Sequence, residues 1–332
     1  MTKSMMAQES AESSVAISNL LTQNQQTFTQ LAQYLQENPP LGIVMIGRGT
    51  SDHAGVFAKY LFETQCGIPV SAAAPSVASV FGKTLSLHGF LAIAISQSGQ
   101  SPDIVSQLSE AKKGGAYCIA IVNDDSSPLA KVSDITLSMH AGKEKAVAAT
   151  KSYLCSLAML LGINAYWQND TQLLKALTGL PELLCSAVLD AQPLLTNDSF
   201  TPPNRCIVIG RGFGYAIARE VALKLKEVLG IQAEAFSSAE FLHGPVTLAA
   251  QKLFVVSISL DDATGYIHKK IVRDVAERGA NVLTLSADTA PHCLLQPLLI
   301  MQRFYLDLAQ LASTRGLNPD QPPGLKKITE TK

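Results

Sequence analysis

Short apolar runs alternate with longer amphipathic stretches along most of this chain. Runs such as IVMI (43–46) and FLAIAI (90–95) have the length of buried strands, and each leads through a polar turn into a helical pattern. Strands that alternate with helices predict βαβ units and a mostly parallel sheet. The most apolar stretch, residues 153–167, is about 15 residues long. A spanning helix needs roughly 20, so this stretch predicts a buried core helix.

The same pattern occurs twice. IVMIGRG in the first half matches CIVIGRG in the second, and Gly47 aligns with Gly210 at an offset of 163 (210 − 47). Gly67 aligns with Gly230 at the same offset. A repeat of this length indicates a duplicated domain and not a solenoid. The predicted fold class is therefore α/β, with two tandem doubly wound parallel sheets.

Neither GRG turn is a dinucleotide fingerprint. The pattern GxGxxG needs a third glycine at positions 52 and 215, which are Asp52 and Tyr215. We therefore expect no nicotinamide or flavin cofactor.

Hydroxyl groups concentrate where the apolar run FLAIAI ends. The sequence SQSGQSPD brings Ser96, Ser98 and Ser101 together around Gly99, just before a predicted helix. The corresponding place in the second half reads SLDDAT and carries two carboxylates. A helix that follows a parallel strand directs free N–H groups outward, where they attract anions. The first loop, residues 96–101, is thus typical of a phosphate site, and a plain serine-rich turn is the alternative. We call it the serine loop.

Charge and composition argue against several classes of protein. The chain has 332 residues, 47% hydrophobic and 16% charged, and a net charge of −1. These values predict a globular protein of about two domains without a nucleic-acid surface. The N-terminus lacks an apolar signal-peptide core. The chain is therefore expected in the cytoplasm, without a membrane partner.

The cysteines and histidines give no sign of a metal. Six cysteines occur without CxxC spacing, mostly in apolar runs, and we expect them to be reduced core residues. The six histidines show neither HExxH nor HxH spacing. No metal site is expected.

Several motifs together resemble the sugar isomerase (SIS) family. They are GRGTSDHAG, SQSGQSPD, GKEKAVAATKSY (142–153), ALKLKEV with AEFLHGP, and DQPPGLKK. Within the family the chain is most similar to stand-alone glucosamine-6-phosphate deaminases and to the isomerase half of glucosamine-6-phosphate synthase. The resemblance implies two flavodoxin-like, three-layer SIS domains. The implied limits are a helical leader (1–40), a first domain (41–165), a helical linker (166–200), a second domain (201–315) and a tail over the active site (316–332).

The resemblance also implies which residues hold the substrate. The phosphate would bind the serine loop, the sugar would contact the first turn and the GKEKAVAATK stretch, and two charged residues would flank the base. These residues are Ser96, Gln97, Ser98, Ser101, Gly49, Thr50, Ser51, Ala149, Lys224 and Glu220. Ala149 stands where the synthase has a serine, which argues against synthase chemistry.

Three catalytic roles are implied as well. Glu220, Lys224 and Glu227 are spaced i, i+4 and i+7 on one helix face, which by spacing alone favours a solvated row of salt bridges. The family instead implies that Glu227 moves a proton between C1 and C2 of the sugar. His243 is by composition a structural histidine beside Gly-Pro, but the family implies that it opens the sugar ring from the neighbouring subunit. The chain would then be an obligate homodimer.

The tail carries the third implied role. By composition, residues 316–332 resemble a loose C-terminus. The family implies that the tail presents Lys327 to the cleft. Pro323-Gly324 replaces an arginine-asparagine pair of the synthase, so the lid differs in detail.

The implied reaction converts glucosamine 6-phosphate into fructose 6-phosphate and ammonia without a cofactor. The alternatives are another phosphosugar aldose–ketose isomerase, a fructosamine-6-phosphate deglycase, or a non-catalytic sugar-phosphate sensor. Residue 2 is Thr2 and only about 40 residues precede the first strand. We therefore expect no ammonia from glutamine through an N-terminal cysteine domain.

Overall fold

The computed structural model describes residues 4–189, 192–202, 205–287 and 290–327. The chain divides into two compact units. We name them the five-stranded unit and the four-stranded unit after their sheets. The five-stranded unit comprises Ser13–Glu144, Lys151–Pro181 and the residues from Lys326 onward. The four-stranded unit comprises the residues up to Glu12, Lys145–Thr150 and Glu182–Leu325. The domain limits expected from the sequence stay a prediction.

The α-helices of the described residues are, in chain order, α1 Met5–Ala11, α2 Ser13–Gln23, α3 Gln25–Glu37, α4 Thr50–Gln65, α5 Pro75–Ser79, α6 Pro102–Lys113, α7 Pro128–Val132, α8 Lys151–Trp167, α9 Thr171–Thr178, α10 Leu180–Leu189, α11 Phe213–Leu229, α12 Ser238–Phe241, α13 Gly265–Glu277 and α14 Gln296–Thr314. Two 3₁₀ segments are Pro245–Gln251 and Cys293–Leu295.

The strands of the described residues are β1 Gly42–Ile46, β2 Val70–Ala72, β3 Phe90–Ser96, β4 Tyr117–Val122, β5 Ile135–Ser138, β6 Arg205–Gly210, β7 Gln232–Ser237, β8 Phe254–Ile258 and β9 Asn281–Leu285.

Both sheets are parallel, as the sequence predicts. The strand order is β2-β1-β3-β4-β5 in one unit and β7-β6-β8-β9 in the other. In the first sheet Val44 pairs with Ala92, and in the second Val208 pairs with Val256. The inner strands β1 and β8 are buried along their whole length. Helices cover both faces of such sheets, which is why these strands read as continuous apolar runs.

The repeat offset of 163 residues holds throughout the two sheets. Adding 163 to the bounds of α4, 50 and 65, gives 213 and 228, and α11 spans Phe213–Leu229. The same shift carries α6 onto α13 and β4 onto β9 within a residue or two. Among the described residues, β5 has no counterpart in the second sheet, where β9 is followed by α14. The duplicated doubly wound fold is thus confirmed.

The glycines of the GRG turns are required sterically. Gly49 has φ +53°, and Gly212 has φ +55° at the equivalent place. A Cβ on Gly47 would lie 2.9 Å from the backbone carbon of Ser51. These turns let the chain leave the strand and begin α4 or α11 at once, with no room for a side chain.

The apolar stretch 153–167 forms α8, as predicted. The residues of α8 are buried except for Tyr166, and the helix packs against α2, α3 and α4 in the five-stranded unit. No single described helix has the length and hydropathy of a membrane span. By those criteria alone, one pair bent by 43° passes, Thr171–Thr178 with Leu180–Leu189.

The expectation that the cysteines are core residues is confirmed for three of them, wrong for two, and only partly met by Cys66, which is half-buried. All six are free thiols, but Cys185 on α10 and Cys293 are exposed. Burial raises the pKa of the Cys118 and Cys206 thiols to about 12, so these two are poor nucleophiles. An apolar run does not fix which face of a surface helix a cysteine occupies, which explains the error at Cys185.

Candidate active site

The serine loop lies at the topological switch point of the five-stranded sheet. The strand order reverses between β1 and β3, so their following loops run to opposite sides and leave a crevice between them. Gly47 and Gly49 form the loop after β1, and residues 96–101 form the loop after β3. In parallel α/β sheets this crevice is where ligands bind.

The backbone of the serine loop is held in place by the chain around it. The Gly99 N–H donates to Ser96 Oγ at 3.1 Å. The carbonyl of Gln97 accepts from Asn123 N at 3.2 Å, and that of Gly99 accepts from Leu129 N at 3.1 Å. Gly99 has φ +62°, and a Cβ there would lie 2.2 Å from Ser127 Oγ. The loop is therefore preorganised around a position that only glycine fits.

The three hydroxyl groups of the loop differ in burial and in the hydrogen bonds that they make. Ser96 is 8% exposed and its oxygen shapes the loop. Ser98 is half-buried and its Oγ accepts from Gln100 N at 3.3 Å, an arrangement that allows the hydroxyl to donate its proton to a ligand. Ser101 occupies the N-cap of α6 without capping it through its side chain. This geometry suits an anion at the start of α6, although the phosphate role of these residues stays a prediction.

An ion pair that the sequence analysis missed joins the two loops of the crevice. Arg48 Nε lies 2.9 Å from Asp103 Oδ2, and the Asp103 side chain is fully buried. Arg48 belongs to the GRG turn, and Asp103 lies in the first turn of α6. The pair fixes the distance between the loop after β1 and the helix that follows the serine loop. Asp103 also partly offsets the positive charge of Arg48 beside the expected phosphate.

The other predicted residues of the first turn lie at the beginning of α4. Thr50 and Ser51 are both half-buried, and Ser51 N donates to Arg48 O at 3.0 Å. They follow β1 directly, so they are at the same sheet edge as the serine loop.

Lys327 lies in the five-stranded unit, paired with a buried carboxylate. Its Nζ is 2.9 Å from Oε2 of Glu144, whose side chain is fully buried. The same carboxylate accepts from Ser152 N at 3.2 Å and from Ser152 Oγ at 2.8 Å. The nearby Lys151 is 1% exposed and donates to Lys143 O at 2.7 Å. Glu144 thus holds Lys327 in place, a role for which the spacing of the motif gave no signal.

Three charged residues of α11 form a line from the interior of the four-stranded unit to its surface. Lys224 Nζ lies 3.4 Å from Glu220 Oε1 and 2.6 Å from Glu227 Oε2. The Glu220 side chain is 0% exposed, that of Lys224 1% and that of Glu227 21%. We call these three residues the α11 triad. The alternative of a solvated salt-bridge row is wrong, because two of the three side chains are buried.

Within the triad, the charged ammonium of Lys224 holds the carboxylate of Glu227 in place. Burial alone lowers the pKa of the Lys224 ammonium, but the charges of Glu220 and Glu227 and their hydrogen bonds outweigh it and raise the pKa above its usual value. Lys224 therefore stays charged. Tyr305 of α14 donates to Glu220 Oε1 at 3.1 Å and fixes the inner end of the line. Glu227 is left at the accessible end, where it can exchange a proton with a ligand.

His243 does not lie on α11, the helix that carries the triad. It is exposed in the turn after α12, and its backbone N–H donates to Glu240 O at 3.0 Å. Ala149 is half-buried in Lys145–Thr150, a segment of the same unit. The roles predicted for both residues stay predictions. Among the described residues, no group of three or more His, Cys, Asp and Glu side chains is placed to hold a metal ion.

The architecture defines a doubly wound α/β protein with two parallel sheets. Its sequence matches the SIS domain family over residues 41–162 and 199–290. The chain belongs to the SIS domain family.

Individual relatives fit the same family. The chain is 33% identical to the glutamine–fructose-6-phosphate aminotransferase [isomerizing] of Thermotoga maritima, over 98% of the chain and 58% of that protein. It thus spans little more than half the length of this relative.

Two solved structures are similar over nearly the whole chain. One is a protein of Silicibacter pomeroyi DSS-3 that is classed provisionally as a phosphosugar isomerase, with 36% identity and a TM-score of 0.88 over 96% of this chain and 100% of that one. The other is the C-terminal domain of glucosamine-fructose-6-phosphate aminotransferase from Francisella tularensis, with 27% identity and a TM-score of 0.82 over 97% and 99%.

Proposed function

We propose that this protein is a glucosamine-6-phosphate deaminase, which isomerises an amino-sugar phosphate and releases ammonia. The observation that carries the proposal is the α11 triad, in which a buried ammonium holds one accessible carboxylate, Glu227, in a fixed place. Proton transfer between adjacent carbons needs such a base. Membership in the SIS family and relatives named for fructose-6-phosphate chemistry support the substrate class.

The proposed reaction begins with the phosphate at the serine loop. Ser98, Ser101 and the start of α6 hold it, and His243 of a neighbouring copy assists opening of the sugar ring. Glu227 then removes the proton from C2 of the open-chain amino sugar and returns one to C1. The resulting imine at C2 adds water and loses ammonia, which gives fructose 6-phosphate. The sum is one amino-sugar phosphate plus water giving one ketose phosphate plus ammonia.

The charge on the intermediate is matched by fixed groups. Removal of the C2 proton places negative charge on the C1 oxygen, and the positive charges of Lys224 and Lys327 are held in place by their carboxylate partners. Fixed charges stabilise such an intermediate without reorganisation. The proposal includes a homodimer with shared clefts, the expected domain limits and a cytoplasmic location.

A panel assay tests the proposal. Purified protein is incubated with glucosamine 6-phosphate, unphosphorylated glucosamine, fructosamine 6-phosphate and glucose 6-phosphate, and ammonia and hexose phosphates are measured. We expect ammonia and fructose 6-phosphate in equal amounts from the first compound. Glucose 6-phosphate from fructosamine 6-phosphate would favour the deglycase, and interconversion of glucose and fructose 6-phosphates without ammonia would favour a plain isomerase. Equal rates with glucosamine and its 6-phosphate would refute the phosphate loop.

A further inference from the structure

Three consecutive backbone N–H groups of the segment Lys145–Thr150 are bound by acceptors from the two ends of the chain. Lys145 N donates to Glu9 Oε1 at 2.5 Å, and Ala146 N donates to Glu9 Oε2 at 3.1 Å. Val147 N donates to the carbonyl of Asp320 at 3.0 Å. The segment has neither helix nor strand partners for these groups, so their satisfaction depends on Glu9 and Asp320.

The two acceptors are themselves linked through α1. The Asp320 carboxylate accepts from Met5 N at 3.0 Å and from Met6 N at 2.8 Å, at the beginning of α1. Glu9 lies one turn further along the same helix. The segment, Asp320 and α1 therefore form a closed ring of hydrogen bonds, which we call the Glu9–Asp320 ring.

The ring is anchored in the four-stranded unit. On α14, Gln302 Nε2 donates to Ser10 O at 2.9 Å and to Ser10 Oγ at 3.0 Å. Gln302 and Ser10 are both fully buried. The short helix α1 thus has a fixed position against α14, and this fixes the position of Glu9, which belongs to α1.

Burial of the Glu9 carboxylate costs free energy unless hydrogen bonds compensate its charge. It is 7% exposed, and its carboxylate is compensated by charge-assisted bonds from two adjacent N–H groups. A carboxylate is well suited to hold two successive N–H groups at once, because it accepts on both oxygens. The arrangement fixes the conformation of a segment that no regular structure holds.

We propose that Glu9 and Asp320 are positioning residues, and that their ring with α1 holds Lys145–Thr150 in the conformation that presents Ala149 to the sugar. The proposal rests on the proposed function, because Ala149 contacts a sugar only if the substrate contacts implied by the SIS resemblance hold in this chain. Helix α1 and the tail would then both support catalysis by holding Lys145–Thr150, a segment that is far from both of them in the sequence.

The test compares Glu9→Ala and Glu9→Gln with Glu37→Gln, a control that alters an exposed carboxylate at the end of α3. Hydrogen exchange is measured on peptides covering residues 143–152. Loss of a charged acceptor should speed exchange at residues 145 and 146 about tenfold or more in Glu9→Ala. Glu9→Gln keeps one carbonyl oxygen and should give an intermediate rate, and Glu37→Gln should match the wild type.

The same variants are assayed for kcat and for binding of inorganic phosphate. We expect kcat to fall about tenfold or more in Glu9→Ala, with partial recovery in Glu9→Gln. The Kd for inorganic phosphate should stay within about twofold, because the serine loop does not use Glu9. A merely structural defect would weaken phosphate binding and turnover together.

The outcomes separate the two proposals. Unchanged exchange at residues 145 and 146 in Glu9→Ala would overturn the ring, as would parallel losses of kcat and phosphate binding. Faster exchange with unchanged kcat would overturn the positioning role and leave the deaminase standing. A wild type that releases no ammonia would refute the deaminase, and the exchange rates would still decide whether Glu9 holds the segment. If Glu9→Ala does not fold, Glu9→Gln against Glu37→Gln gives the same comparison.

Discussion

Substitution of Glu227 by glutamine tests the central step of the proposed reaction. The change keeps the shape of the side chain and removes the base. Loss of a general base costs about 10²- to 10⁴-fold in turnover, which corresponds to about 3 to 5 kcal/mol in the activation barrier. KM should stay near the wild-type value, because the proposed phosphate site is the serine loop, which belongs to the other unit.

The structure also limits the accompanying loss of stability. After Glu227→Gln, Lys224 remains 3.4 Å from Glu220. The variant loses one charged hydrogen bond at a partly exposed site, about 1.5 to 3 kcal/mol. In Lys224→Met, by contrast, Glu220 stays fully buried without its ammonium, and breaking a buried pair in this way costs about 3 to 5 kcal/mol. Lys224→Met should therefore be the less stable protein of the two.

Two measurements decide the matter. Turnover per folded molecule comes from ammonia release, with folded protein counted by circular dichroism, and stability comes from thermal unfolding of both variants and wild type. We expect Glu227→Gln to fold well and to turn over slowly. Wild-type turnover in Glu227→Gln would return this face of α11 to a structural role and refute the proposed mechanism.

Three further predictions use other parts of the chain. Ser98→Ala should weaken substrate binding by about 1 to 3 kcal/mol, seen as a higher KM; an unchanged KM would exclude its hydroxyl from the phosphate site. Burial lowers the pKa of the His268 imidazole from 6.5 to about 4. As the pH drops through this range the unfolded state is protonated first, so the free energy of unfolding should fall by up to about 3 kcal/mol. Denaturant titrations should show a shallower fall for His268→Gln, and parallel curves for the variant and the wild type would contradict the argument. Inactive His243→Ala and Glu227→Gln subunits, refolded together in equal amounts, should recover about a quarter of wild-type activity, because half of the random dimers are mixed and each has one intact cleft; no recovery after verified subunit exchange would refute a shared cleft.

The repeated fold could be predicted because its signals are local and periodic. The apolar run that forms β1 and the glycine turn that begins α4 recur 163 residues later as β6 and α11. Each such element is specified within a few residues by hydrophobic spacing and by glycine. For the same reason the sequence alone places the serine loop at the end of a strand.

Contacts between distant residues could not be predicted in this way. Arg48 and Asp103 are 55 positions apart, and Glu9 and Lys145 are 136 apart. No periodicity links such pairs, and each residue alone resembles an ordinary surface charge. The burial of Lys224 was hidden for a related reason, since spacing gives the shared face of a helix but not what covers it. Here Tyr305 of α14 meets the inner end of that face.

The second switch point shows why the fold alone does not determine a phosphate site. The order of the four-stranded sheet reverses between β6 and β8, as it does between β1 and β3. At the end of β8, however, Asp262 Oδ1 accepts from Thr264 N at 2.8 Å and from Thr264 Oγ1 at 2.6 Å, just before α13 begins. A carboxylate of the chain itself thus takes the place near the helix N-terminus that attracts anions. A phosphate arriving there would meet a like charge and donors already in use. At the first sheet the corresponding carboxylate, Asp103, is buried and paired with Arg48, and the loop before it offers hydroxyls. The duplication therefore gives two equivalent crevices, and the difference between their loops is the reason why we propose the phosphate site in the first.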